Sequence, residues 1–294
     1  MTISAKIIAY SRDYRGRYIV SWELEYPRFI HGEFMTHRLF SRNAASSRAI
    51  PVKAMIDAVR NNPAKPIHWG MNQPGMQAKQ ELEPFEMASV MRLWDEAAWE
   101  AADTALAMDL MGAHKQIANR ILEPFQTMKT VMTATCLDNF FWLRNHEDAQ
   151  PEIKELARLM WEALQGENAV LLEPGDWHVP YFGEGYWLKN CGIPLEDALA
   201  ISASCCAQVS YRKLDDTLEK AHIVFKRLVE SKPVHASPFE HQATPMECYK
   251  LDPIYWPKGV THLDKNMMFW SGNFVGFIQH RQLLDDHTCW EYKG

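Results

Sequence analysis

The chain has 294 residues, of which 47% are hydrophobic and 23% charged, so it can bury a sizeable core as one large domain or two small ones. Its formal net charge of −6 argues against binding along a nucleic-acid backbone, which usually needs a basic face. The sequence has neither an uninterrupted apolar run of about 18 residues nor an apolar leader. We therefore expect no membrane association and a cytoplasmic location.

The first predicted element is a strand over residues 17 to 26, where apolar and polar side chains alternate. From Arg28 to Arg38 the apolar spacing changes to that of a helix. The later elements follow in chain order: a short helix at 52–60 in a loop-rich stretch, a mostly helical region over 84–123 that ends before Pro124, a brief β-branched run at 130–135, and helices at 151–164, about 195–209 and about 215–231. Residues 166 to 194 carry glycines, prolines and aromatic residues without a period, which is typical of a connecting segment.

The stretch MTHRLFSRNAASSRAIPV, residues 35 to 52, is rich in arginine and small hydroxyl side chains. No acidic residue lies between Thr36 and Val52, so these charges have no local partner. Guanidinium forks and hydroxyl donors match phosphate oxygens. The stretch is therefore either a phosphate site or an ordinary solvated loop.

Two other segments carry polar side chains that could serve a site. In NFFWLRNHEDAQPEI, Arg144 precedes a helix start and Asn139 lies five residues earlier. The alternative is an ordinary helix start, at which the acidic side chains interact favourably with the helix dipole. In HASPFEH, the spacing of His235 and His241 with a proline between them does not favour a metal site. The segment WHVPYF is either an aromatic binding lip or a packed loop.

The six cysteines include no C-x-x-C pair, which favours buried thiols over a zinc site or a disulfide framework. None lies in sequence among the arginines named above. Cys136 is the nearest, and Cys205 with Cys206 lies in a small-residue stretch typical of close helix packing. We therefore expect no cysteine nucleophile.

Three motifs resemble those of the flavin-dependent thymidylate synthases and stand in that family's order. The first is T-H-R, seven residues, then S-x-R, formed by Thr36, His37, Arg38, Ser46 and Arg48. The second is ANRILEP, which contains Arg120. The third is NFFWLR followed by the Ala-Gln-x-Glu-Ile helix. The resemblance covers roughly residues 17 to 160.

The second half resembles the same family in an unusual order. AQVSYRK and HASPFEH are similar to the family's opening segment, and NFVGFIQHR is similar to a degraded form of its Q-x-x-R-H-R helix. We therefore predict a permuted or internally duplicated relative. Its predicted parts are a core at residues 1–165, a connecting segment at 166–194 and a second family-like half at 195–294.

The resemblance implies an α+β fold, with a mixed sheet packed against long helices, and an oligomer with shared active sites. It implies reductive methylation of dUMP to dTMP with FAD, methylenetetrahydrofolate and NADPH. The residues it assigns to the nucleotide are Ser46, Arg48, Arg120 and Arg144, with Arg144 and Ser46 at the reacting base. Those it assigns to the flavin are His37, Arg38, Asn139, Ser210, His235 and Ser237. It implies no metal.

Four positions depart from the family pattern: Glu33 replaces a glutamine, Thr36 an arginine, Ala44 an acid or amide, and Asp148 a histidine. These changes are compatible with a different substrate, a shifted phosphate position or compensation by Arg28 or Arg42. Two other functions therefore stay open. One is methyl or hydroxymethyl transfer to another pyrimidine nucleotide, and the other is nucleotide binding without catalysis.

Overall fold

The computed structural model describes residues 3–209, 214–247 and 249–292. The strands are β1 (Ser4–Asp13), β2 (Tyr18–Pro27), β3 (Ser41–Ala44), β4 (Thr127–Ala134), β5 (Val170–Leu172), β6 (Trp177–His178), β7 (Tyr186–Trp187), β8 (Ala243–Pro245), β9 (His262–Leu263), β10 (Phe269–Ser271), β11 (Phe274–Val275) and β12 (Phe277–Gln279).

The α-helices are α1 (His31–Phe34), α2 (Val52–Asn61), α3 (Pro84–Leu110), α4 (Lys115–Ala118), α5 (Asp138–Arg144), α6 (Pro151–Gln165), α7 (Leu195–Ala207) and α8 (Leu218–Glu230). Short 3-10 helices lie at Arg28–Ile30, Asn119–Phe125, Ser237–Glu240, Pro253–Tyr255 and His280–Leu283. The mixture of sheets and helices confirms the predicted α+β class. No helix in the described ranges is both long enough and apolar enough to cross a membrane.

The central sheet has the strand order β3-β4-β2-β1-β5. Its neighbours are antiparallel, except that β5 runs parallel to β1. Trp22, Leu24 and Tyr26 on β2 are fully buried and pack in one core with residues of α6, including Leu156 and Met160. The alternation in the sequence predicted this buried face correctly.

The opposite face of β2 is also buried, which the alternation did not predict. Ile19 packs with Ala243, Phe274 and Phe277, all from the second half of the chain. Burial of both faces explains why a polar residue such as Ser21 lies in the interior. A single strand's pattern could not reveal this cover, because the covering residues are far away in sequence.

The predicted helix from Arg28 to Arg38 is wrong. The chain forms a 3-10 turn and the single helical turn α1, and then returns as β3, with Arg42 opposite Met132 of β4. The free edge of β4 takes up residues 41–44 as a strand, and tertiary pairing of this kind overrides local spacing.

The region predicted as mostly helical over 84–123 is helical but interrupted, and it ends later than predicted. Helix α3 ends at Leu110 because Gly112, at φ +86°, reverses the chain, and the amide of Ala113 then donates to the Met108 carbonyl in a Schellman-type end. A 3-10 helix continues to Phe125, so the chain passes through Pro124 in helical turns.

The predicted connecting segment contributes strands to two sheets. β5 extends the central sheet, whereas β6 and β7 join β8 and β12 in a second sheet of order β12-β8-β6-β7. β9, β10 and β11 form a third, small sheet. The boundaries at residues 165 and 195 stay a prediction.

A buried polar network ties this second sheet to the central one. Oγ of Ser11 lies 2.9 Å from Nδ1 of His178, and Oγ of Ser21 lies 2.8 Å from its Nε2. Ser21 also bonds Thr133 at 2.5 Å, and Thr133 bonds Nδ1 of His241 at 2.9 Å. Burial without a charged partner lowers the pKa of both histidines to about 3, so they are neutral at physiological pH.

Candidate active site

Helix α5 ends at Arg144, whose guanidinium reaches back to the first motif. Nε donates to Nε2 of His37 at 3.0 Å, and Nη1 donates to Oε2 of Glu33 at 3.0 Å. Nη2 lies 3.4 Å from the hydroxyl of Thr36. The structure thus brings the first and third sequence motifs into one cluster, called the Arg144 cluster below.

His37 forms the inner wall of this cluster. Its ring is buried and meets Phe140 edge to face, with centroids 4.9 Å apart. Burial, and then the charges of Arg144 and Arg42, lower its pKa to about 4. Because Nε2 accepts from Arg144, we infer that His37 is the neutral tautomer with its proton on Nδ1. It therefore orients the guanidinium without competing for negative charge.

A second cluster forms around Glu123. Its Oε1 accepts from the hydroxyl of Ser47 at 2.7 Å and from Nη1 of Arg120 at 3.0 Å, and lies 3.1 Å from Nη2 of Arg28. The carboxylate side chain is only 22% exposed. It therefore holds the serine loop and two arginines together in what is called the Glu123 cluster below.

Ser46 and Arg48 lie beside this second cluster in the loop after β3. The hydroxyl of Ser46 accepts from the Arg48 amide at 3.3 Å. The Arg48 side chain is exposed and forms no ion pair within the described ranges. An unpaired guanidinium next to hydroxyl donors has the chemistry that phosphate binding needs.

The flavin residues implied by the resemblance are mostly at the surface. Arg38 and Asn139 are exposed, and the structure gives neither side chain a partner among the residues it describes. His235 and Ser237 are exposed as well. Ser210 lies outside the described residues.

The second half of the chain reaches the first motif through the turn at Ser237–Glu240. The amide of Gln279 donates to the Ser41 hydroxyl at 3.2 Å and to the Glu240 carbonyl at 3.3 Å. Asn273 donates to the Leu39 carbonyl at 3.1 Å. HASPFEH and NFVGFIQHR therefore lie against β3, beside the loop that carries Ser46.

A cleft of about 1160 Å³ opens next to the Arg144 cluster. Glu33 and Arg144 line it together with Phe29, Trp94 and the segment that contains Lys79. This segment is held in place where Gln77 donates to the Asp148 carbonyl at 2.6 Å. Among the described residues, the lining includes neither the Ser46 loop nor Arg120.

Three functional candidates were missed or undervalued by the sequence motifs. Glu33 and Thr36 stood out only as departures, yet both contact Arg144. Glu123 gave no signal, because the carboxylate beside Pro124 finds its partners only when the chain folds. No group of three histidine, cysteine or acidic side chains suited to a metal occurs in the part of the chain that the structure describes.

Comparison with known proteins identifies the class. A sequence profile of the family described as "Thymidylate synthase complementing protein" matches residues 18–167. The match spans half of the chain, and the chain belongs to this family. The family resemblance inferred from the motifs is confirmed.

Two solved structures of the UMP/dUMP methylase PolB from Streptomyces cacaoi are similar to part of the chain, one with 5-Br dUMP bound and one with 5-Br UMP. Each has a TM-score of 0.44 and 20% sequence identity and covers 52% of this chain. The matched parts are 68% and 70% of the respective PolB chains. No curated protein matches this chain significantly in sequence.

Proposed function

We propose that the protein is a flavin-dependent thymidylate synthase, which converts dUMP to dTMP with methylenetetrahydrofolate and NADPH. The observation that carries this proposal is the Arg144 cluster. It joins two family motifs at the wall of a cleft large enough for a nucleotide and a second ring system.

The two clusters suit the two ends of a nucleotide. Arg144 is already paired with Glu33, so its remaining N–H groups suit a neutral carbonyl oxygen of the base better than a phosphate dianion. Arg48 is an exposed cation without an ion pair in the described ranges, and Arg120, although paired with Glu123, is 55% exposed, whereas Arg144 is only 22% exposed. The two exposed cations therefore suit the 5′-phosphate better than Arg144 does. We therefore assign the base to Arg144 and the phosphate to Ser46, Arg48 and Arg120.

A second copy of the chain would complete the site. Arg144 lines the cleft. Among the described residues, Ser46, Arg48 and Arg120 of the same chain do not line it. If two copies pack so that one supplies the phosphate residues and the other the cleft, each nucleotide contacts both. This supports the proposal of a homo-oligomer with shared active sites.

The surface residues near the first motif fit an anionic cofactor such as FAD. Arg38 and Asn139 expose donors that no described residue occupies, and Ser237 lies on the turn packed beside β3. Together with His235 they would hold the flavin and its pyrophosphate. A flavin bound by these residues would supply the hydride, with NADPH as its source.

The chain's own contribution is to orient the base and to stabilise charge. Making C5 nucleophilic places negative charge on a uracil carbonyl oxygen before the new carbon bond forms. A guanidinium fixed by His37, Glu33 and Thr36 needs no reorganisation to donate to such an oxygen, and preorganised donors of this kind are commonly the largest single term in catalysis.

The test is a product assay with the purified full chain. Incubation with dUMP, methylenetetrahydrofolate, NADPH and FAD should yield a nucleotide heavier by one methylene group, identified as dTMP by mass spectrometry and chromatography. A hydroxymethyl product, or turnover of another pyrimidine nucleotide only, would contradict the proposal in favour of a related transferase. Nucleotide binding without product would favour a binding protein.

The assigned phosphate site makes the assay more specific. Replacing Arg48 by alanine should weaken dUMP binding by about 1.5 to 3 kcal/mol, measured by calorimetry, because a charge-assisted contact is lost. Arg92 offers a matched control, since it is also exposed but pairs with Glu96 on α3. Equal dUMP affinity in R48A and R92A would show that the loop is only solvated.

A further inference from the structure

Glu33 lies at the cleft wall and is one of three residues that contact the Arg144 guanidinium. The guanidinium is also bonded to His37 at 3.0 Å and approached by Thr36 at 3.4 Å. The Glu33 side chain is 40% exposed, whereas that of Arg144 is 22% exposed. A half-exposed carboxylate in such a position adds little stability. Oε2 contacts Arg144, and Oε1 has no partner among the described residues at this cleft wall.

The pair presents a defined hydrogen-bonding edge. An ionised carboxylate only accepts, and a guanidinium only donates. Arg144 has more N–H groups than its contacts with Glu33, Thr36 and His37 use. The cleft wall therefore offers an acceptor directly beside a donor.

We propose that Glu33 determines the base specificity of the site: its carboxylate accepts the N3–H of uracil, while Arg144 donates to the adjacent carbonyl oxygen. This inference rests on the proposed function, and it names the imide edge of the base as the recognised group. A base without a hydrogen at N3 places an acceptor or an apolar group against the carboxylate, so the hydrogen bond is lost and an acceptor is also repelled. The site therefore selects uracil both by binding its N3–H and by disfavouring bases that lack this hydrogen.

The test compares four ligands by calorimetry on the full chain: dUMP, its N3-methyl derivative, dCMP and deoxyribose 5-phosphate. Wild-type protein should bind dUMP at least about ten-fold more tightly than N3-methyl-dUMP or dCMP. E33A should bind dUMP about ten-fold more weakly and should no longer distinguish it from N3-methyl-dUMP. Deoxyribose 5-phosphate, which lacks the base, should bind all variants equally.

Two further variants sharpen the comparison. E33Q keeps the shape and an acceptor oxygen but loses the charge, so its discrimination should fall between wild type and E33A. Glu155 lines the same cleft and pairs with Arg158, so E155A should discriminate as wild type does. Thermal melting of each variant confirms that it is folded.

The outcomes separate the two proposals. A protein that methylates dUMP, but whose preference for dUMP over N3-methyl-dUMP survives in E33A, would overturn the role of Glu33 alone. Wild-type affinity for dCMP equal to that for dUMP would do the same. A protein that binds no nucleotide would overturn the proposed function and this inference together.

Discussion

At the scale of single residues, the surroundings of Cys136, Cys205 and Cys206 decide what their thiols can do. Burial raises the pKa of Cys136, raises that of Cys205 to about 12 and raises that of Cys206 well above its usual value. A nucleophilic cysteine needs the opposite shift, which nearby cations produce. Thiol addition to the pyrimidine ring therefore has no support at these three positions.

Replacing Cys136, Cys205 or Cys206 singly by alanine should leave turnover within about ten-fold, an allowance of about 1.4 kcal/mol for repacking. Steady-state kinetics on dUMP measures this, with calorimetry to show that each variant still binds the nucleotide. A loss of about a thousand-fold in a folded variant, with nucleotide trapped covalently on that cysteine in the parent protein, would overturn the proposed absence of a thiolate step.

At the scale of elements, the loop between β6 and β7 is pressed against β1. Gly185 has φ +92°, and a Cβ there would lie 2.7 Å from the Cα and Cβ of Ala9 and 2.8 Å from the carbonyl oxygen of Ile8. Backbone of the central sheet cannot move aside as the end of a flexible side chain can. The close approach therefore requires glycine both for its conformation and for its lack of a side chain.

Gly185→Ala should lower the free energy of unfolding by more than about 2 kcal/mol, since a strained φ and a steric clash act together. Gly183 is the matched control, because it also has a positive φ, of +51°, but an added Cβ there would meet nothing within 4 Å. Urea unfolding followed by circular dichroism measures both. Equal losses in G183A and G185A would show that the contact with β1 contributes nothing.

The sequence predicted the elements whose pattern is local, and it missed those decided by distant partners. β2, α2 and α6 followed from their own periodicity. β3 did not, because its pairing with β4 is not visible in residues 28 to 44. β1 went unpredicted, and β6 and β7 lie in a segment predicted only to connect.

The site divides in the same way. The motifs identified His37 and Arg144 as candidate site residues, and the structure places their side chains in contact. The carboxylates Glu33 and Glu123, which set the charge around the arginines, acquire their roles only from folding. A motif identifies the arginines from their spacing in the sequence. The net charge around each arginine depends on which carboxylates contact it in the folded chain, and the sequence does not show this.

At the scale of the whole molecule, the interior contains histidines that must stay neutral. The pKa is about 3 for His178 and His241 and about 4 for His280, in each case because burial disfavours the charged form. In the unfolded chain a histidine titrates near about 6.5. Below that pH the unfolded chain binds protons that the folded protein does not, so stability falls as the pH falls.

The free energy of unfolding should therefore be constant above about pH 7 and should drop between about pH 6.5 and 4, by about 2 kcal/mol for each buried histidine at pH 5. Urea unfolding at a series of pH values measures the slope. A free energy of unfolding that stays constant down to pH 5 would contradict the inference that the buried histidines are neutral in the folded protein.

The second cover of the central sheet comes late in biosynthesis. Ile19 and Ser21 are translated about 250 residues before Phe274 and Phe277, which pack with Ile19. His178 likewise cannot pair with β8, its partner strand in the second sheet, until that strand has been translated. Since chains grow at about 5–20 residues per second, the nascent protein carries an uncovered sheet face that includes Ile19 for many seconds, and a chaperone can occupy that face until the covering residues are made.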